Sequence, residues 1–293
     1  MRLDRMGSMH QSRLSFLRQF LRRASKQNWK FNRDLFEINA NGVGRALYRL
    51  STPLRDYTLI CFSHDLPDEM RSDRVIASAW DATFTLYDGR PTPDDLERLE
   101  KHVPYQEEGR LTQNELCLSR ANRSVRLWDY VLDCLSNGNQ PDLDRVRDVG
   151  YLMRTTAVYG SGKFGSADRR VVENREEANS PFQLEMMTVY LIRTFVMDLI
   201  EYLAKIKNPD SAVKLDSSIR RSFGVGNSTG LGMAPFLVNH PRLIHNWFEA
   251  KENAIATVKN LKTATQTEIS KFKELVTRLK PHLKAWQSEH PIQ

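Results

Sequence analysis

Two glycine-rich segments carry the residues best placed to do chemistry: Tyr159-Gly-Ser-Gly-Lys-Phe-Gly165 and Phe223-Gly-Val-Gly-Asn-Ser-Thr-Gly-Leu-Gly232. Glycines let backbone N–H groups converge on an anion, and a nearby lysine or arginine supplies the opposing charge. The first segment offers Gly160, Ser161, Gly162 and Lys163, with Arg154 shortly before it. The second offers Gly226, Asn227, Thr229 and Gly230, with Arg221 upstream. If the two face one another they form one basic, glycine-lined pocket for phosphate or carboxylate. Tyr159, Ser228 and His240 are the groups nearby that can hold or pass a proton, imidazole being the side chain that titrates near neutral pH.

Neither segment completes a motif that names a reaction. A Walker A loop needs a glycine five residues before Gly162 and a Ser or Thr after the lysine, where this chain has Ala157 and Phe164. Gly226-Asn-Ser228-Thr-Gly230 matches a nucleophile elbow by letter, but Ser217 to Ser222 does not read as the buried strand an elbow requires. Gly224-Val-Gly226 lacks the β/α alternation of a dinucleotide site. Helix C-caps and an inter-helix turn would account for some of these glycines without any ligand. His240 and His245 are five apart with Pro241 between them, which is not helical metal spacing. No metal and no cofactor is expected.

Other polar groups have plainer explanations. Arg120, Arg123 and Arg126 are spaced as a basic stripe on a helix. Arg193, set among Ile192, Phe195 and Val196, is expected on a buried helix with a carboxylate or ligand anion as partner. His64, Asp65, Asp68 and Glu69 surround Pro67 and read as a capping turn.

The elements that must position these groups follow from composition and periodicity. The 293 residues are 40% hydrophobic and 27% charged, ordinary for a folded globular protein. The net charge of +7 belongs to the N-terminus: residues 1–55 hold twelve Lys and Arg against three Asp and Glu, and the remainder is slightly acidic. A broad duplex-binding face is disfavoured. Cys61, Cys117 and Cys134 are too scattered for a disulfide framework or a zinc site, and the N-terminus has no continuous apolar segment of signal-peptide type. A cytoplasmic location is the expectation.

Leu14, Leu17, Phe20, Leu21 and Ala24 predict a basic amphipathic helix over 9–29. Short β-branched and aromatic runs between 43 and 87 predict a small antiparallel sheet. Beyond Gly89 the pattern predicts helices near 93–103, 114–136, 142–158, 180–207, 233–239, 241–262 and 265–287, with 182–204 the central core helix. The expected fold is therefore α-rich α+β, a mostly helical body with a small N-terminal antiparallel β-sheet. Residues 1–90 form one part and 91–293 another, or the two are one continuous domain.

The function expected from this equipment is an enzyme binding an anionic, phosphorylated or carboxylated small molecule, of metal-free lyase, isomerase or transferase type. Two other readings compete with it. One is a nucleic-acid or acidic-partner binding protein using the basic N-terminal helix; the other is a helical scaffold that oligomerises through that helix. No membrane partner is expected, since charged residues interrupt every apolar run.

Overall fold

The computed structural model describes residues 20–71, 79–105, 110–156, 175–178, 183–227 and 265–287, together with 249, 252, 253 and 256. Seven strands hydrogen-bond in chain order into one sheet: β1 Lys30–Ile38, β2 Gly44–Ser51, β3 Asp56–Ser63, β4 Ala82–Asp88, β5 Glu115–Arg123, β6 Tyr151–Thr156 and β7 Gly224–Asn227. The first six are antiparallel and curl into a half-barrel, and β7 joins β6 in parallel.

This sheet overturns the expectation of a mostly helical body with a small N-terminal sheet. Its strands reach from residue 30 to residue 227, and β5 and β6 lie inside the 114–136 and 142–158 segments whose spacing predicts helix. The physical reason is that β5 is buried on both faces. Ala121 and Cys117 belong to the large core, whereas Leu118 joins a smaller core on the other side, so apolar and polar residues do not alternate. An extra residue deepens the disguise: Leu86 pairs with Cys117 and Tyr87 with Glu115, leaving Leu116 as a bulge beside Cys117, both buried. In β1 the extra residue is Asp34, which restores Phe31 and Phe36 to one face despite their odd spacing. Asp34 then receives both Nε and Nη2 of Arg49, at 2.6 and 3.1 Å.

Mounted on this frame among the described residues are α1 Pro93–His102, α2 Trp128–Ser136, α3 Leu143–Val149, α4 Gln183–Lys207, α5 Ser217–Ser222 and α6 Gln266–Gln287, besides a helical stretch over 20–26. The long α4 is apolar around most of its circumference because it is enclosed. Phe195 packs edge-on to Tyr48 and Phe84, at 6.2 and 5.7 Å between ring centroids, and Leu191, Leu199 and Leu203 extend the same core. On the opposite face, Leu99 and Val103 cover Ile60, Phe62 and Leu118. α1 begins where the sequence predicts, at a capping box in which Thr92 Oγ1 accepts from Asp95 N and Asp95 Oδ2 accepts from Thr92 N, with Pro93 as first helical residue.

Residues 20–26 are helical, and Phe20 and Ala24 are buried in the large core. The helices expected over 233–239 and 241–262, and the start of the one over 9–29, fall outside the described residues apart from the isolated positions named above.

Candidate site at the C-terminal ends of two parallel strands

Strands β6 and β7 are built alike, each entered from a short helix. α3 ends on Gly150, whose φ of 78° is left-handed and free of Cβ strain, and the chain enters β6. α5 ends on the buried Phe223 and the chain enters β7. Gly224 N donates to Gly150 O at 2.7 Å, and the strands then run in parallel with Tyr151 opposite Gly224, Arg154 opposite Gly226 and Thr155 opposite Asn227.

The first glycine-rich segment therefore follows the C-terminal end of β6, and the second begins as β7 itself and runs on past its C-terminal end, the two strands lying about 5 Å apart. In parallel sheets, ligands gather at that end of the strands. Of the residues the sequence singles out, Arg154, Gly226 and Asn227 lie at this junction. Tyr159, Gly160, Ser161, Gly162, Lys163, Ser228, Thr229, Gly230 and His240 lie outside the described residues.

Arg154 is half-buried and flanked in register by Asn122 on β5 and Gly226 on β7. Its register partner on β7, Gly226, has no side chain. Arg120 stands opposite Thr156, two residues along β5 from Asn122, so it shares a face with Arg154 at a diagonal spacing of about 7–8 Å. Its guanidinium carbon lies 4.1 Å from the centroid of the Trp80 ring, and burial lowers its pKa.

The helical stripe expected of Arg120, Arg123 and Arg126 does not form. On a strand, residues three apart point to opposite faces. Arg123 accordingly lies against Trp128, its guanidinium carbon 4.9 Å from the ring, while Arg126 Nη2 donates to Tyr151 Oη at 3.3 Å.

Arg221 is exposed on α5, at the opposite end of β7 from Asn227. Arg193 is indeed on the buried helix, but it pairs with backbone and not with a carboxylate. Its Nε donates to Phe223 O at 2.7 Å and its Nη2 to Arg220 O, so α4 grips the chain where it enters β7. Burial lowers its pKa, yet the two carbonyls take up donors that water would otherwise satisfy.

Two polar clusters escape sequence reasoning because their members are far apart in the chain. Asp81 is fully buried and accepts Arg71 Nε at 3.1 Å and Arg123 N at 2.8 Å, while Arg71 also pairs with Asp65 and Asp68. The expected capping turn is thus one arm of an ion network fastening the ends of β3, β4 and β5. In the second cluster, Asp198 accepts Tyr48 Oη at 2.8 Å and Arg33 Nη1 at 3.2 Å. It borders a groove of about 410 Å³ lined also by Glu201, Tyr202, Lys205 and Lys214. Burial raises the pKa of Glu201, although Leu215 N donates to it.

Among the described residues no three His, Cys, Asp or Glu side chains come together as a metal site, and no described helix is long and apolar enough to cross a membrane. No protein-family model, curated protein or solved structure matches the chain.

Proposed function

We propose that this chain is a metal-independent enzyme, of lyase, isomerase or transferase type, acting on a small molecule bearing phosphate or carboxylate. The substrate lies at the C-terminal ends of β6 and β7. One observation carries the reading: the strands that lead into the two glycine-rich segments are hydrogen-bonded neighbours, with Arg154 opposite Gly226. Arg154 and Lys163 supply positive charge, the glycine N–H groups and Asn227 and Thr229 orient the anion, and Tyr159, His240 or Ser228 handles the proton. Arg120, on the same face as Arg154, adds a second cation. The free thiols at Cys61, Cys117 and Cys134 suit a reducing compartment, and the reading places the enzyme in the cytoplasm.

The competing reading, binding of nucleic acid or an acidic partner, would use the Arg120 to Arg126 stripe together with the basic N-terminal helix, and that stripe does not form. Its other support is the basic N-terminus, where Phe20 and Ala24 are spent on the chain's own core.

A thermal-shift screen of the full chain against phosphorylated metabolites, nucleotides, acyl-CoA compounds and small carboxylates tests the proposal. A ligand that binds the native state raises the melting temperature by mass action. The expected result is a selective hit that Arg154→Gln, Lys163→Ala and Ser228→Ala each weaken. A hit indifferent to all three, or no hit from folded protein, overturns the assignment.

A further inference from the structure

We propose that α6 pairs with α6 of a second copy of this chain as a parallel two-stranded coiled coil, an interface independent of the ligand site. Ile269, Phe272, Val276, Leu279, Leu283 and Trp286 recur at alternating steps of three and four residues. That is a strict 3.5-residue period held over about two and a half heptads. An isolated α-helix drifts by about 20° per heptad against such a period, so the pattern serves a partner around which the helix can supercoil.

The helix has its own start signal, since Thr265 N donates to Glu268 Oε2 at 2.8 Å and Glu268 N to Thr265 Oγ1 at 3.3 Å. Over residues 265–278 its surface is largely open. From Thr265 to Arg278 every side chain is exposed except the half-buried Ile269 and Val276, and Phe272 and Leu275 are 64% and 49% exposed. A two-in-seven stripe is the narrow seam of a coiled coil, whereas a helix lying on lipid or in a globular groove presents a wider apolar face.

Charge decides the occupant and its direction. With Ile269, Val276 and Leu283 at a and Phe272, Leu279 and Trp286 at d, the flanking g positions are Glu268, Leu275 and His282, and the e positions include Lys273 and Lys280. A parallel second copy sets Glu268 against the partner subunit's Lys273, once on each side of the seam. An antiparallel copy instead sets Lys273 against the partner subunit's Lys280, a repulsion repeated by symmetry. Pro281 falls at the outward f position, away from the seam.

Sedimentation equilibrium of the full chain, from low to tens of micromolar, tests this. The expected species has twice the 33.9 kDa chain mass, and Phe272→Glu with Val276→Glu gives a monomer whose circular dichroism still reports a folded protein. Lys273→Glu separates the two directions. In the parallel coil two attractive pairs become repulsive and the dissociation constant rises roughly tenfold, whereas in an antiparallel coil the same change tightens the dimer. A wild-type chain that stays monomeric, a double variant that stays dimeric, or a Lys273→Glu dimer that tightens overturns the proposal. Monomeric protein captured by phosphatidylserine vesicles would assign the stripe to a lipid surface instead.

Discussion

Arg193 Nε donates to the carbonyl oxygen of Phe223 at 2.7 Å, joining the middle of the long buried helix to the residue that opens β7. The same guanidinium reaches Arg220 O, the last turn of α5. The position of β7 beside β6 is thereby set from α4. Arg193→Met keeps the aliphatic stem but leaves both carbonyls without their charged donor. We expect a loss of about 2–3 kcal/mol in urea unfolding, together with weaker ligand stabilisation even though Arg193 lies off the proposed site. Unchanged unfolding would show that β7 is held by its strand pairing alone.

Gly226 is a different test, because it concerns space and not support. Valine is the better strand former and should leave unfolding within about 1 kcal/mol of the parent. Its side chain would share a face with Arg154, directly opposite it in register. The expected outcome of Gly226→Val is a folded protein whose thermal shift with the anionic ligand is lost. Retention of the full shift would remove Gly226 and the β7 edge of Arg154 from the site.

Asp81 holds two arginines that have few other ways to satisfy their charge. With Asp81→Ala, Arg71 falls back on the exposed Asp65 and Asp68, but Arg123 Nε and Nη2, buried and without a hydrogen-bond acceptor, lose their nearest carboxylate. Breaking a buried pair from one side costs about 3–5 kcal/mol, so the variant should rank among the most destabilising single changes in the sheet. Chemical denaturation that shows under about 1 kcal/mol of change would mean that the Arg71 and Arg123 charges reach water.

These tests rest on relationships of unequal legibility. The capped start of α1 could be read from Thr92, Pro93 and Asp95, because capping is local. The enclosed helix α4 could be read from an apolar run too short of charge to face water. β5 and β6 could not, because burial on both faces and the bulge at Leu116 erase the alternation that identifies a strand. The glycine-rich segments stand out as chemistry, yet the parallel pairing of β6 with β7 joins residues about 70 apart, which no local pattern encodes. Arg120 has a spacing that predicts a helix, and its sharing a face with Arg154 follows only from strand register.

The pH dependence of stability offers a last test, at His64. Its side chain is half-buried with an Nε2 that is enclosed and has no hydrogen-bond partner, and burial lowers its pKa below 6.5, an effect the neighbouring Asp81 charge only partly offsets. In the unfolded chain the imidazole titrates near its ordinary value of about 6.5. Between that value and the lower folded one, the unfolded state binds the proton and the native state does not. Stability therefore falls as the pH drops below about 6.5 and stops falling on this account once the folded pKa is passed. Carboxylates such as Asp95, held at about 2 by its hydrogen bonds to Thr92, Tyr87 and Arg98, lose their contribution only below roughly pH 4 and do not obscure the window. His64→Gln should flatten the decline in urea midpoint between pH 7.5 and about 5 while leaving the acid limb in place. An identical slope in the variant would mean that His64 takes up its proton in the native state as readily as in the unfolded chain.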